Sequence, residues 1–220
     1  HVLYLIFNEG YASSSGDSLH RVELCDEAVR LARLLVELMP DEPEAVGLLA
    51  LLLLLESRRP ARTAADGSLV LLPDQDRSLW RGDLISEGQS LVRACLRRNR
   101  PGPYQIQAAI NAVHADTVDG SPTDWRSIVV LYDQLMAVAP TPVVALNRAV
   151  ALAELDGPNV ALAEIERLDL PDYQPHWVAR AEMLVRCGRP VEARAAFDHA
   201  LSLTENAVEH AYLTRRRAEI

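Results

Sequence analysis

A repeat of apolar residues in the last third of the chain limits the fold more than any other feature of the sequence. Apolar residues and one glycine recur there at Trp177, Ala181, Leu184, Gly188, Ala193, Phe197 and Ala200. Spacings of three and four place such residues on one face of a helix. A turn at Gly188 and Pro190 separates two such segments. The pattern therefore predicts two helices that pack against each other.

The same pattern occurs twice more upstream. It recurs about 32 residues earlier at Ala145, Ala149, Leu152, Ala161, Ile165 and Leu168, and about 33 residues before that at Ile128, Tyr132 and Leu135. This arrangement resembles the tetratricopeptide repeat, which has a period of about 34 residues and buries its apolar faces by stacking. We expect an all-α fold of stacked antiparallel helix pairs in a tetratricopeptide-like right-handed superhelix.

The segments upstream of the repeat are mostly helical in pattern. Residues 2–7 fit a helix or a strand, and the helical neighbourhood favours a helix. We also expect a long amphipathic helix over residues 19–39 capped by Asp17 or Ser18, a buried helix over residues 43–55, and helices over residues 83–98 and 104–115. Residues 58–82 interrupt this pattern, and the Asp66–Gly67 dipeptide there predicts a small hairpin. We divide the chain into an N-terminal half, residues 1–123, and a repeat region, residues 124–220, which together form one continuous structural unit.

Charge and cysteine usage limit the class of protein. The net charge of −9 disfavours direct binding to nucleic acid. The longest apolar run, residues 45–55, is shorter than the roughly 20 residues of a membrane-spanning helix. Cys25, Cys95 and Cys187 lie far apart in helical patterns, which fits buried thiols in a reducing compartment. We therefore expect a cytoplasmic protein that has no membrane partner and no visible signal peptide.

We find no pattern of residues that indicates catalysis. The chain has no nucleophile elbow and no glycine-rich phosphate loop, and no cysteine lies next to a histidine. His114 and Asp116 are two residues apart, which is a poor spacing for metal ligands on a helix, so we interpret them as solvated residues at a helix end. The sequence predicts no enzyme activity, no metal and no cofactor.

Charged residues flank the predicted hairpin on both sides. Arg58, Arg59 and Arg62 precede it, and Asp74 and Asp76 follow it. Pairing between the two sets predicts a salt-bridge network that holds the hairpin on the helices. The alternative is a site where these arginines bind an anionic small molecule beside Tyr104 and Gln105.

Further polar residues on apolar segments need partners once they are buried. They form either a structural network or the lining of a groove that accepts a peptide or a partner helix. The full set of candidate residues is Asn8, Glu9, Tyr11, Arg58, Arg59, Arg62, Asp74, Asp76, Arg77, Trp80, Tyr104, Gln105, Gln107, Asp124, Trp125, Asn147 and Arg148.

Six short phrases in this sequence resemble one known family. They lie at residues 4–11 (YLIFNEGY), 58–62 (RRPAR), 74–78 (DQDRS), 102–110 (GPYQIQAAI), 124–126 (DWR) and 142–150 (PVVALNRAV). The chain resembles the C-terminal extension of a group of bacterial extracytoplasmic-function (ECF) RNA polymerase sigma factors. In that family, two helical domains that bind core polymerase and promoter elements precede a long tetratricopeptide-like extension.

The resemblance implies a regulatory or protein-interaction domain of a sigma factor that directs RNA polymerase to specific promoters in transcription initiation. The implied partners are the upstream sigma-factor domains of the same protein, the RNA polymerase core or a regulatory protein. The resemblance also implies that DNA is contacted only through the upstream domains. If the extension packs on those domains, the segment Val2–Tyr11 is the expected junction, and Tyr4 and Phe7 are the expected contacts.

Overall fold

A computed structural model of the chain describes residues 1–116 and 122–220. Within these residues, eleven α-helices and two very short strands form two compact units. Unit 1 comprises His1–Ser14 and Ser18–Asp124, and unit 2 comprises Ser15–Asp17 and Trp125–Ile220. The expected all-α class is confirmed.

Unit 1 is built around one fully apolar helix. Its helices are α1 (Val2–Tyr11), α2 (Val22–Leu38), α3 (Pro43–Glu56), α4 (Gly82–Arg98) and α5 (Pro103–Ala115). α3 packs against α2, α4 and α5, and every residue from Ala45 to Leu54 is buried. A helix that is apolar on all sides is stable only when it is surrounded. The predicted core helix over residues 43–55 is therefore confirmed.

A glycine allows α3 and α5 to approach each other closely. A Cβ atom at Gly47 would lie 2.6 Å from Cγ of Gln105 and 2.7 Å from its main-chain nitrogen. Since real Cβ atoms do not come this close to main-chain atoms, the contact between the two helices requires glycine at this position.

The predicted start of α2 is wrong. The helix begins at Val22 rather than at residue 19, and neither Asp17 nor Ser18 caps it, because the N-cap residue is Arg21. The preceding residues are held by α1 instead: Ser13 N donates to Leu19 O (2.9 Å), and Arg21 N donates to the main-chain oxygen of Gly10 (2.8 Å). These tertiary hydrogen bonds delay the first helical turn.

The insertion between α3 and α4, residues 57–81, contains the predicted hairpin. Thr63 and Leu69 form an antiparallel bridge, and Ala64 N donates to Ser68 O over 2.9 Å. Gly67 takes a positive φ of 81°, which glycine adopts without strain. The rest of the insertion folds as three 3₁₀ turns, Arg59–Ala61, Leu72–Asp74 and Arg77–Leu79. The hairpin is confirmed, with a single bridge in place of regular strands.

Unit 2 contains the repeat. Its helices are α6 (Trp125–Val138), α7 (Pro142–Leu155), α8 (Pro158–Ile165), α9 (Gln174–Arg186), α10 (Pro190–Ser202) and α11 (Ala207–Ala218), and each packs against the next. Gly157 and Gly188, both with positive φ, form the turns within the pairs α7/α8 and α9/α10. The predicted repeat residues Ala161, Ala181 and Phe197 are all fully buried. The predicted helix pairing is confirmed.

A two-residue parallel pairing completes unit 2. The strands β1 (Ser15–Gly16) and β2 (Glu205–Asn206) are hydrogen-bonded to each other. Asn206 is almost fully buried, and its Oδ1 accepts hydrogen bonds from Val208 N (3.0 Å) and Glu209 N (3.3 Å), which caps α11. Among the described helices of both units, none combines the length and the apolarity needed to cross a membrane.

Candidate functional site

Two arginines of the insertion bind the C-terminal ends of helices in unit 1. Arg62 donates a hydrogen bond to the main-chain oxygen of Tyr11, the last residue of α1. Arg77 donates to the main-chain oxygen of His114, in the last turn of α5, over 3.3 Å. Helix C-termini carry a partial negative charge and unpaired carbonyl groups. The two guanidinium groups therefore stabilise α1 and α5 and fix the insertion on them.

A third arginine lies between these two helix ends. Arg58 lies two residues after the end of α3 and is only 7% exposed, and its Nη2 donates to Oδ1 of Asn111 on α5. Burial lowers the pKa of Arg58, and the charges of Arg62 and Arg77 lower it further, although Tyr11 acts in the opposite direction. We call Arg58, Arg62 and Arg77 the arginine cluster.

Aromatic rings pack against the arginine cluster. Cζ of Arg62 lies 3.9 Å from the centroid of the Tyr11 ring. Cζ of Arg77 lies 4.9 Å from the centroid of the buried Trp80 ring, and Cζ of Arg58 lies 5.9 Å from it. The aromatic faces attract the guanidinium charges. Two sequence candidates, Tyr11 and Trp80, thus contact the arginine cluster directly.

Two histidines border the arginine cluster. Burial lowers the pKa of His114 to about 4, and the charges of Arg58 and Arg77 lower it as well. The pKa of His20 is also lowered to about 4, by burial and then by Arg62. Both imidazoles are therefore neutral near pH 7. The interpretation of His114 and Asp116 as solvated residues at a helix end holds for Asp116, which is exposed, but is wrong for His114, which is partly buried and whose main-chain oxygen binds Arg77 of the insertion.

The predicted pairing of the hairpin arginines with Asp74 and Asp76 is wrong. Oδ1 of Asp76 accepts hydrogen bonds from Ser78 N (2.9 Å) and Ser78 Oγ (2.7 Å), and Asp74 is exposed. Among the described residues, neither acid forms an ion pair with Arg58, Arg59 or Arg62; Arg62 binds the main-chain oxygen of Tyr11, and Arg58 binds Oδ1 of Asn111. Arg59 pairs instead with the buried Glu56 of α3 over 2.6 Å. Burial raises the pKa of Glu56, although Arg59 lowers it.

The N-terminal ends of α3 and α5 form a second polar network, around Glu44. One carboxylate oxygen, Oε2, accepts from Tyr104 N (3.0 Å), and the other, Oε1, accepts from Gln105 N (3.3 Å) and Gln105 Nε2 (3.0 Å). A negative charge here faces the positive end of α5. Gly102 permits the contact, since a Cβ atom there would lie 2.4 Å from Cδ of Glu44.

The position of this second network contradicts one part of the ligand-site prediction, in which Tyr104 and Gln105 lie beside the arginines of the insertion. Tyr104 and Gln105 lie at the first turn of α5, whereas Asn111 and His114, which contact the arginine cluster, lie at its last turns. At a rise of about 1.5 Å per residue, Gln105 lies about 9 Å from Asn111 along the helix axis, and Tyr104 lies about 15 Å from His114. Tyr104 and Gln105 therefore do not line the same site as the arginines.

A polar row along α5 connects the two ends. Gln107 accepts a hydrogen bond from Tyr4 Oη (3.4 Å) through Oε1 and donates to Pro103 O (3.2 Å). Asn111 Nδ2 donates to the main-chain oxygen of Gln107 over 2.9 Å. Of these contacts, the hydrogen bond from Tyr4 links α1 to α5, which agrees with the interpretation of these residues as a structural network.

The remaining candidates of α1 have separate positions. Glu9 forms an ion pair with Arg21 (3.3 Å) and accepts from Ser13 Oγ (3.3 Å), which holds the turn between α1 and α2. Asn8 is partly buried, and its side-chain amide makes no hydrogen bond to any residue within the described ranges. Neither residue contacts the arginine cluster through a described hydrogen bond or ion pair.

Four candidates lie around the start of the repeat. Arg148 of α7 pairs with Asp133 of α6 over 2.6 Å, which ties the two helices together. Asn147 is exposed on α7, Trp125 is the partly exposed first residue of α6, and Asp124 is exposed just before it.

Sequence reasoning missed an aromatic cleft in unit 2. The cleft has a volume of about 490 Å³ and is lined by Glu166, Leu170, Pro171, His176, Trp177 and Arg180, among others. Trp177 Nε1 donates to Pro171 O over 2.8 Å, and the ring of His199 lies 4.1 Å from that of Trp177. The repeat pattern identified Trp177 only as a packing residue. In residues 1–116 and 122–220, no group of three His, Cys, Asp or Glu side chains is placed to hold a metal ion.

One protein family and one bacterial protein resemble this chain in sequence. A family described as "Family of unknown function (DUF6596)" matches residues 1–96. An uncharacterized protein of Rhizobium meliloti (strain 1021) is 49% identical over 214 residues, which are 96% of this chain and 51% of that protein. The chain thus spans about half the length of this relative.

One solved structure resembles the chain over most of its length. The crystal structure of TTC0263, a thermophilic TPR protein of Thermus thermophilus, matches with a TM-score of 0.59 and 18% sequence identity. The match covers 90% of this chain and 91% of that protein. The fold of this chain is therefore a tetratricopeptide-like arrangement of consecutive helix pairs.

Proposed function

We propose that this chain is the C-terminal regulatory and protein-interaction domain of a bacterial ECF sigma factor, a protein that directs RNA polymerase to specific promoters. The observation that carries the proposal is the set of six sequence phrases, which occur in the order of that family from residue 4 to residue 150. Three of them, at residues 58–62, 74–78 and 102–110, supply the arginine cluster and the partners of Glu44.

The length of the Rhizobium relative supports this proposal. The match covers 51% of that protein, so nearly half of its residues lie outside the matched region. A segment of that size has room for additional helical domains. On our proposal, the corresponding part of the longer protein holds the domains that contact polymerase and promoter.

The fold and the charge suit an interaction domain. Helical repeats present extended surfaces on which other proteins bind. The net charge of −9 opposes binding to the phosphate backbone of DNA. We therefore assign promoter contacts to the upstream domains and protein contacts to this chain.

The structure changes which residues of α1 serve as junction candidates. Phe7 is fully buried in the core of unit 1, and Tyr4 contacts the Tyr104 ring at 5.5 Å. Substitutions at these two positions would damage the fold as well as any junction. Val2 and Leu5 are 69% and 54% exposed, and exposed apolar side chains on one helix suit a contact with another domain. We assign the contact with the upstream domains to Val2 and Leu5.

A deletion tests the proposal in the longer protein. Removing the region equivalent to residues 1–220 should abolish or deregulate transcription from the cognate promoter in a reconstituted assay with RNA polymerase. Promoter-specific transcription at the undeleted level, with unchanged regulation in cells, would reject the proposal.

A matched pair of variants tests the junction. Leu5→Glu should reduce promoter-specific transcription by about fivefold or more, because loss of a central apolar contact costs about 1 kcal/mol or more. Leu79→Glu is the control, since Leu79 is similarly exposed at 50% but lies on the insertion. Equal activity of the two variants would argue against a contact at α1.

A further inference from the structure

The arginine cluster carries more positive charge than its surroundings balance. None of its three guanidinium groups forms an ion pair with a carboxylate in the part of the chain that the structure describes. Their partners are the main-chain oxygens of Tyr11 and His114 and the side-chain oxygen of Asn111. The C-termini of α1 and α5 supply about −1 elementary charge in total, roughly a third of what three guanidinium groups carry.

Two buried N–H groups, one in the arginine cluster and one on the adjacent Trp80, also lack a hydrogen-bond partner among the described residues. Nε of Arg58 and Nε1 of Trp80 are inaccessible to solvent, and neither has a hydrogen-bond acceptor within the described ranges. Each residue is only 7% exposed. A buried donor without an acceptor costs about 1–3 kcal/mol, so this arrangement is stable only because the surrounding fold imposes it. The positive charge of Arg58 is therefore only partly compensated by hydrogen bonds within the described ranges.

The cluster also reaches solvent. Arg62, Arg77 and Tyr11 are each partly exposed, whereas Arg58 and Trp80 are buried beneath them. A ligand at the exposed guanidinium groups would thus lie near the aromatic rings of Tyr11 and Trp80 and near the buried positive charge of Arg58. Burial of Arg58 strengthens its attraction for an anion, since fewer water molecules screen its charge.

We propose that the arginine cluster binds the oxyanion group, phosphoryl or carboxylate, of a small metabolite. Planar guanidinium groups bind such groups through two parallel hydrogen bonds, which ammonium or neutral groups do not provide. The overall charge of −9 repels anions elsewhere on the chain, so binding depends on this local reversal of charge. The inference is independent of the proposed sigma-factor function, because it concerns only residues of unit 1.

Thermal unfolding of the 220-residue chain at constant ionic strength tests the site. Three arms contain sodium chloride, sodium phosphate or sodium malonate, with chloride added to equalise ionic strength. Phosphate, malonate or both should raise the unfolding midpoint by about 3 °C or more over chloride, as saturation of a native site does. A shift with phosphate alone identifies a phosphoryl ligand, and a shift with malonate alone identifies a carboxylate ligand. No shift in either arm overturns the proposal.

Two variants locate the effect. Arg77→Gln should abolish the anion-dependent shift, measured against its own midpoint in chloride. Arg81→Gln should retain the shift, because Arg81 is exposed, pairs with Asp83 at 3.1 Å and lies outside the cluster. Arg77→Lys keeps the positive charge and the fold but loses the planar fork, and it should weaken anion affinity by about tenfold in isothermal titration calorimetry. Full retention of the shift in Arg77→Gln, or unchanged affinity in Arg77→Lys, refutes the assignment.

Discussion

The carboxylate of Glu44 should be one of the main electrostatic supports of unit 1. Its two oxygens accept hydrogen bonds from different groups, Oε2 from Tyr104 N and Oε1 from Gln105 N and Nε2. In Glu44→Gln, one oxygen becomes an amide NH₂ group, so at least one of these N–H donors would face another donor. The substitution therefore keeps the shape of the side chain that caps α5 but removes one of its two acceptor oxygens.

The expected loss of stability follows from these contacts. A main-chain N–H left without an acceptor costs about 1–3 kcal/mol, and removal of a negative charge from a helix N-terminus costs about 0.3–1 kcal/mol. Because Glu44 is partly exposed, we expect a value near the lower part of the sum, about 2 kcal/mol. Glu37→Gln is the control: Glu37 is part of the solvent-facing side of α2 and has no ion pair or hydrogen bond among the described residues, so its substitution should change stability by less than about 0.5 kcal/mol.

Urea denaturation followed by circular dichroism measures the free energy of unfolding, and amide hydrogen exchange reports which end of α5 opens. In Glu44→Gln, the amides of Tyr104 and Gln105 should exchange faster, while amides in α9 and α10 keep their wild-type rates. If Glu44→Gln unfolds like Glu37→Gln, or if the two α5 amides keep their protection, the cap does not stabilise the helix and our reasoning about this end of unit 1 fails.

Two further predictions concern packing and pH. Gly47→Ala should destabilise unit 1 by about 1–3 kcal/mol in urea denaturation, because the added Cβ would lie 2.7 Å from the main-chain nitrogen of Gln105; an unchanged midpoint would show that α3 and α5 move apart freely. Burial and then the charges of Arg58 and Arg77 lower the pKa of His114 from 6.5 to about 4. The unfolded chain therefore binds more protons at this histidine between these values, and the stability that His114 contributes should fall by up to about 2 kcal/mol as the pH drops from about 7 to about 5. In His114→Gln, unfolding curves at the two pH values should differ less, and an equal difference would contradict this origin.

The helices of this chain could be predicted from sequence because their causes are local. A spacing of three and four residues, together with the glycine and proline residues at the turns, determines both the repeat helices and their pairing. The hairpin was predictable for the same reason, since Asp66 and Gly67 form a turn by themselves. The burial of α3 followed from its composition, which leaves no polar face for solvent.

The partners of charged residues could not be predicted in this way. Proximity in sequence pairs the arginines of the insertion with Asp74 and Asp76, yet Arg62 and Arg77 bind carbonyl groups at the ends of α1 and α5. Those carbonyl groups become available only after the helices have packed. The role of Glu44 could not be predicted, because an acidic residue in the first turn of a helix is common. Glu44 accepts hydrogen bonds from a different helix, α5, and this contact exists only in the folded chain.

The structural role of these charged residues affects how the resemblance to the sigma-factor family is interpreted. The phrases at residues 58–62 and 74–78 supply arginines to helix C-termini, and the phrase at residues 102–110 supplies the donors for Glu44. Residues of these phrases thus stabilise unit 1. A protein that has the same phrases is therefore expected to have the same fold, whether or not it binds the same partner. What distinguishes one function from another must lie in groups that the fold leaves unused. In unit 1 these groups are the exposed apolar side chains of α1 and the partly exposed guanidinium groups of Arg62 and Arg77, and a protein partner would cover the first whereas a small anion would bind the second.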